Sequence, residues 1–285
     1  MNTPLIRPLS IFFAFTLLLS SCSKNVPDEC ELGEEAAKIS INSVERRYIL
    51  YKPDSLPENS PLIIFLHGRD QNANYVASFG FNAIADTAKF AVCYPQGRSC
   101  TWDNDKLGSS DVEFIKQLAT QLQADHKFSP QRTYIAGFSE GAALCNIIAL
   151  EAGDKFAAAA VVSGEITNVI WNAKNPQSPI PILFMHGLND RVMSISGGGY
   201  AGSLPVSTLV DFWKDFDLCV NDTSEIINTN VSRTLYSGGV DDAEVWFYRL
   251  KNHQHVFPGD PAVPDSLDRS AISGAQEIWS FFRKF

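Results

Sequence analysis

Two hydrophobic patterns alternate along the chain from residue 46 onward. Short unbroken apolar runs bounded by Pro or Gly read as strands buried on both faces, and longer segments with apolar residues three and four apart read as helices. "RRYILYK" (46–52) alternates like an early strand and is closed by Pro53. "PLIIFLHG" (61–68), "AVCYPQG" (91–97), "RTYIAG" (132–137), "FAAAAVVSG" (156–164), "IPILFMHG" (180–187) and "AEVWFYRL" (243–250) follow as strands. Between them, "FNAIADTAKF" (81–90), 109–126, "EGAALCNIIALEA" (140–152) and "STLVDFWKDF" (207–216) read as helices, and "SGAQEIWSFFRKF" (273–285) closes the chain as another. In the segment 109–126, Val112, Ile115, Leu118 and Leu122 share one face, and Ser or Asp is available as a cap. Strands alternating with helices at this spacing predict an α/β fold: a mostly parallel central sheet with helices on both faces. "IIFLHG" and "ILFMHG" both end in His-Gly at the C-terminal edge of the sheet, where open α/β sheets bind ligands.

The N-terminus breaks this rhythm. Arg7 precedes the apolar run "IFFAFTLLL" (11–19), too short to span a bilayer and of the length of a signal-peptide core. It runs into Leu19-Ser20-Ser21-Cys22, which resembles the lipobox of bacterial lipoproteins. The expected organisation is a lipoprotein signal peptide over residues 1–21, a polar tether over 22–38 and one catalytic-sized domain over 39–285. The resemblance implies lipidation of Cys22 and an envelope protein anchored on the periplasmic or cell-surface side of a bacterial membrane. Without Cys22, the cysteines left from the total of 6 are Cys30, Cys93, Cys100, Cys145 and Cys219. That odd number leaves at least one thiol over. Cys93 and Cys100 flank a short loop and are the first pair to test.

Composition changes the picture only by exclusion. A net charge of −9 with no basic cluster offers no footprint for nucleic acid. The 5 His are not spaced as zinc ligands, so neither a metal nor another cofactor is expected.

Candidate chemistry centres on "GFSEG" (137–141), a G-x-S-x-G pentapeptide that means little without its context. Here the context fits: a strand before it, a helix after it, and glycines that permit a sharp turn exposing Ser139. A serine hydroxyl needs a base, and the base an acid to hold its tautomer. Asp190 follows a buried strand in "MHGLND", and His253 and His255 follow another in "KNHQHVFPG". The order Ser, Asp, His is that of α/β-hydrolases, and spacing alone permits either histidine.

These stretches together give a more specific likeness. "RRYILYKP", "PLIIFLHGRDQNA", "CYPQG" with Trp102 following, "SSDVEFI", "RTYIAGFSEGAA", "FAAAAVVSGE", "MHGLNDRVM" and "HQHVFPG" resemble the α/β-hydrolases that include feruloyl esterases, acetylxylan esterases and polyhydroxybutyrate depolymerases. The likeness runs from Ile39 to Phe285. It implies Ser139 as nucleophile, Asp190 as acid and His255, rather than His253, as base. The family pattern around the base is Gly-His-x-Trp-Pro-Gly. Gln254 and Phe257 depart from it, at the histidine loop and the expected substrate mouth.

An oxyanion hole is expected from the backbone N–H groups of Glu140 and of Arg69, with Gly68 the alternative to Arg69. The Glu140 side chain is expected to be solvated or to cap its helix. Trp102 is expected either to wall the acyl pocket or to pack, Gln71 to shape that pocket, and His67 and His186 to orient their own loops. The reading is an exported serine esterase working through an acyl-enzyme on polysaccharide-linked feruloyl or acetyl esters, or on a hydroxyalkanoate polyester. A serine peptidase is the neighbouring alternative, for which no propeller or second substrate domain is visible. A surface-binding lipoprotein without turnover is the alternative from another class, and the presence of Ser139, Asp190 and His255 together argues against it.

The lipobox makes one prediction. The protein should fractionate with membranes, and Cys22→Ala should release or mislocalise it; unchanged fractionation of the variant would remove the lipid anchor.

Overall fold

The computed structural model describes Cys30, Leu32, residues 36–199 and residues 202–285. The signal peptide and the lipidated Cys22 expected above lie outside the described residues, as does most of the tether. In chain order the first elements are β1 (Ala37–Ile41), β2 (Val44–Tyr51), β3 (Leu62–Leu66), α1 (Ala73–Ala77), α2 (Phe81–Ala88) and β4 (Ala91–Pro95). The middle of the chain forms α3 (Ser110–His126), β5 (Thr133–Phe138), α4 (Glu140–Ala152), β6 (Ala158–Val162), α5 (Asn168–Ala173) and β7 (Ile182–Gly187). It ends with α6 (Val206–Phe216), β8 (Asn221–Asn228), β9 (Val231–Ser237), β10 (Val245–Leu250) and α7 (Gly274–Phe282).

The strands form one 10-stranded sheet in the order β1-β2-β4-β3-β5-β6-β7-β10-β9-β8. Its centre, from β4 through β10, is parallel, and the hairpins β1–β2 and β8–β9 add antiparallel margins. Both faces are covered, which is why the central strands read as unbroken apolar runs. On β3, Leu62, Ile64 and Leu66 point to the side that carries α3, α4 and α6, while Ile63 and Phe65 point to the side of α1, α2 and α7. Each such side chain contributes about 1.5–3 kcal/mol when fully buried. The predicted cap of α3 is Ser109, whose Oγ accepts the Val112 amide at 3.3 Å.

The margins are where pattern-reading missed elements. β8 is exposed along nearly its whole length on both faces, so "NDTSEIIN" carries no apolar alternation to announce a strand. β1 begins at Ala37, inside the segment expected to be tether. The chain before it is also held: Leu32 is 2% exposed, and Cys30 forms a disulfide with Cys100. This corrects the Cys93–Cys100 pairing. Cys93 lies on β4 with its side chain in the apolar core among α3 and β3, sealed from the turn that carries Cys100. Among the described residues, no helix is long and apolar enough to cross a membrane.

The crosslink spans a sequence separation of 70. In the chain-entropy picture, closing such a loop is worth about 4 kcal/mol. Cys30→Ser and Cys100→Ser should therefore each lower the urea midpoint by a similar amount, and the double variant by no more than either alone. Additive losses would show that the two thiols act separately.

Candidate active site

The site begins at the junction of β5 and α4. Ser139 holds φ 56° and ψ −121°, a conformation side-chain-bearing residues rarely adopt, at a cost of about 1–3 kcal/mol. The surroundings enforce it. The Ser139 amide donates to Val162 O at 2.9 Å, and Ser139 O accepts from Ala143 N at 3.0 Å. The two flanking glycines are required by contact. A Cβ on Gly137 would lie 2.4 Å from Gly141 O, and one on Gly141 would lie 2.4 Å from His67 O. The helix can turn back this closely on β5 and β3 only without those side chains. Ser139 Oγ consequently stands at the C-terminal edge of the sheet, in front of the N-terminus of α4.

Three strand ends converge there. His255, on the loop after β10, has Nε2 2.8 Å from Ser139 Oγ and Nδ1 2.7 Å from Asp190 Oδ2. Asp190, on the loop after β7, accepts the Val192 and Met193 amides at 2.9 Å each on its other oxygen. Burial works to raise the Asp190 pKa, but the hydrogen bond and charge of His255, with the Met193 amide, outweigh it and leave the carboxyl below its ordinary value. With Asp190 ionised and accepting, the His255 proton sits on Nδ1, and Nε2 is free to accept from the serine hydroxyl.

His253 points elsewhere. Its ring is fully buried, Nε2–H donates to Val256 O at 2.9 Å, and Nδ1 lies 3.2 Å from Asp268 Oδ1. The Gly259 amide and the Ser270 amide and hydroxyl donate to the Asp268 carboxylate and, with the His253 ring beside it, overcome burial and lower its pKa. His253 thus secures the loop that presents its neighbour. Its carbonyl also accepts the Asn189 amide at 3.1 Å, linking the Asp190 and His255 loops. His186 lies beneath Asp190, donating from Nε2 to Met193 O at 2.7 Å. Phe257, expected near a substrate mouth, is a core residue instead: it stacks on Phe79 at 4.3 Å and meets Phe65 edge-on.

The loop after β3 approaches Ser139 from the other side; a Cβ on Gly68 would be 3.1 Å from the Ser139 Cβ. Its amides are largely consumed internally. Gly68 N donates to Gln71 Oε1 at 2.9 Å, Asp70 N to Cys100 O at 2.8 Å and Gln71 N to Gly68 O at 3.2 Å. The Arg69 amide and the Glu140 amide have no acceptor among the described residues. Beneath the loop, buried His67 donates from Nδ1 to Gly68 O at 2.7 Å and accepts the Gly97 amide on Nε2 at 2.9 Å. Desolvation lowers its pKa to about 4.

Trp102 takes the packing role of its two expected ones, and Glu140 differs from the solvated side chain expected. Trp102 is 3% exposed and offers no wall to a pocket; its indole N–H donates to His67 O at 2.8 Å and its ring lies against His67. A buried carbonyl needs a donor, and Trp102 supplies it. The Glu140 carboxylate is 2% exposed rather than solvated. It accepts from Arg69 Nη2 at 2.5 Å, Thr101 Oγ1 at 2.8 Å and Trp102 N at 3.2 Å. Gln71, expected to shape the acyl pocket, accepts the Gly68 amide and so braces that loop beside Ser139. Sequence reasoning passed over Thr101 and Glu165. Glu165, buried on the loop after β6, has a pKa raised by desolvation and by the charge of Asp190. A lone acid in the apolar stretch "VVSGEI" was the available signal.

A mostly parallel sheet with a strained serine turn at its C-terminal edge is the α/β-hydrolase fold. The chain belongs to the esterase PHB depolymerase family, whose model matches residues 46–198. It is 30% identical over 239 residues to a bifunctional acetylxylan esterase/xylanase of Neocallimastix patriciarum, covering 81% of this chain and 32% of that protein. It is 31% identical over 262 residues to a protein described as a probable feruloyl esterase C of Aspergillus flavus, covering 84% of each. Among solved structures, the acetyl xylan esterase from Aspergillus awamori superposes with a TM-score of 0.65 at 15% identity, over 87% of this chain and 98% of that one. These relatives are carboxylic ester hydrolases. Several curated relatives are much longer: the chain spans 32%, 39% and 44% of the length of three of them.

The buried histidines set an acid dependence. Unfolded His67 takes up a proton near its ordinary 6.5, whereas the folded ring resists until about 4. Between those values the unfolded chain binds more protons, so stability falls as pH drops and the loss is complete below 4. His186, also lowered by burial, acts in the same direction. The His67 contribution is about 3 kcal/mol across the window. Ring ¹⁵N shifts should show an Nδ1–H tautomer titrating near pH 4; a ring protonated at neutral pH would contradict the assignment.

Proposed function

We propose that the chain is an exported serine esterase that hydrolyses carboxylic esters through an acyl-enzyme. Ser139 Oγ attacks the ester carbonyl while His255 Nε2 takes its proton. Asp190 holds the His255 tautomer and stabilises the imidazolium. The backbone N–H groups of Arg69 and Glu140 donate to the oxyanion. His255 then returns the proton to the departing alcohol. Water, deprotonated by the same ring, attacks the acyl-Ser139 carbonyl; collapse breaks the bond to Ser139 Oγ, which takes the proton back from His255, and the acid leaves.

The observation that carries this reading is the unbroken donor chain from Ser139 Oγ through His255 to Asp190, at 2.8 and 2.7 Å, on a strained turn at the C-terminal edge of the sheet. The Arg69 assignment is supported by elimination, because the other amides of its loop are engaged. We read residues 1–21 as a lipoprotein signal peptide and Cys22 as the anchor, with the esterase domain beginning at the β1–β2 hairpin. The relatives' names point to feruloyl or acetyl esters of plant polysaccharide, or a hydroxyalkanoate polyester, as the substrate class.

A fluorophosphonate probe should label the wild type and fail on Ser139→Ala. His255→Ala should lower kcat by on the order of 10³ or more, because proton transfer is lost while the oxyanion donors remain. His253→Ala should cost only about tenfold, through the loop it braces. An ester panel of feruloyl, acetyl, butyryl and 3-hydroxybutyrate oligomers on the full chain selects the substrate. Absence of both labelling and turnover would favour a binding lipoprotein, and greater damage from His253→Ala at equal folded fraction would move the base to that residue.

A further inference from the structure

Arg69 and Glu140, whose amides stand without acceptors, are also joined by their side chains. Glu140 is the first residue of α4, and Arg69 belongs to the loop after β3. The Glu140 carboxylate takes the Arg69 guanidinium on one oxygen, and Thr101 Oγ1 with the Trp102 amide on the other. It therefore ties three chain segments together beside Ser139. The third segment, after β4, is fixed in turn by the Cys30–Cys100 disulfide and reaches back to the Arg69 loop through the Asp70 N–H to Cys100 O bond.

We propose that the Glu140 side chain is a positioning residue for the oxyanion hole, holding the Arg69 and Glu140 amides at a fixed separation through the Arg69 guanidinium. The proposal rests on the oxyanion-hole reading above and deepens it. Most surface ion pairs contribute little. This one differs because its carboxylate is buried and its position is overdetermined by three partners. The Arg69 side chain is 63% exposed, so little packing holds it apart from that carboxylate. The loop it belongs to bends through Asp70 at φ 58° and rests against Ser139 across a glycine; bonds at Gly68 and Asp70 pin it on either side of Arg69, and the guanidinium supplies the tie at Arg69 itself. Oxyanion donors act only within about 2.7–3.1 Å of the developing charge. A shift of about 1 Å in the Arg69 backbone costs on the order of 10²-fold in rate.

The test is a double-mutant cycle of Glu140→Gln and Arg69→Met in the full chain, with p-nitrophenyl acetate as substrate and a phenylboronic acid as tetrahedral mimic. Arg69→Met removes an exposed group but leaves the buried Glu140 carboxylate without its cation, so thermal unfolding is recorded for every variant and rates are compared at equal folded fraction. Each single variant should lower kcat about 10–100-fold with KM within about twofold. The double variant should lose no more than the worse single one, and Arg69→Lys should recover part of the loss. Boronate affinity should fall by the same factor as kcat/KM, a coupling that a generally loosened fold would not produce. Wild-type kcat in both single variants, with Ser139→Ala still inactive, would overturn the clamp and leave the esterase reading standing. So would a rise in KM at constant kcat, which would make Arg69 a substrate contact. Activity surviving in Ser139→Ala would instead overturn the esterase reading itself.

Discussion

The constraint on which the rest of the site depends is the approach of α4 to the ends of β5 and β3. The helix starts so close to both strands that Gly137 and Gly141 cannot carry side chains, and Ser139 between them is forced to φ 56°. Such a turn persists only where the surroundings over-determine it. The Val162 carbonyl holds the serine amide, and the first turn of α4 holds its carbonyl. The strain is local, but its support is the whole sheet: β3, β5 and β6 are locked in parallel register by core residues on both faces. Hydrophobic packing thus determines where the serine hydroxyl stands.

Around that point the loops are organised by buried polar groups rather than by apolar contact. His67, Trp102, Gln96 and Glu140 satisfy carbonyls and amides that the crowded turns remove from water. Each would be costly alone, and together they form a connected set in which a donor answers each acceptor. His186 and His253 do the same on the opposite side, beneath the Asp190 and His255 loops. Of the described histidines at the sheet edge, only His255 is left with a ring nitrogen facing Ser139. Selection between His253 and His255 is therefore a matter of which ring the core absorbs.

The family and the fold agree on ester hydrolysis as the chemistry to test, and the geometry narrows which groups would perform it. The departures at Gln254 and Phe257 bear on this. Phe257 fills the core against Phe79 and Phe65, so its exchange for tryptophan concerns packing under the histidine loop. Trp102 likewise serves the scaffold.

Much of this was legible in the linear chain, for a physical reason. Strands buried on both faces must be apolar throughout, helices covering them must be amphipathic, and a tight strand-to-helix turn must be built from glycine. These local requirements revealed the central sheet, the G-x-S-x-G turn and the order of Ser139, Asp190 and a histidine, while His255 rather than His253 was implied only by the family resemblance. The sequence could not reveal elements whose stability comes from elsewhere. β8 is an exposed margin held by its partner β9, and Cys30 meets Cys100 across a separation of 70 residues, which no local pattern encodes. The burial of Glu140 was hidden for the same reason. A glutamate at a helix start looks solvated until Arg69, Thr101 and Trp102 arrive from other strand ends to surround it. Periodicity reports which face of an element is dry; only the assembled chain decides which polar groups are carried inside and what meets them there.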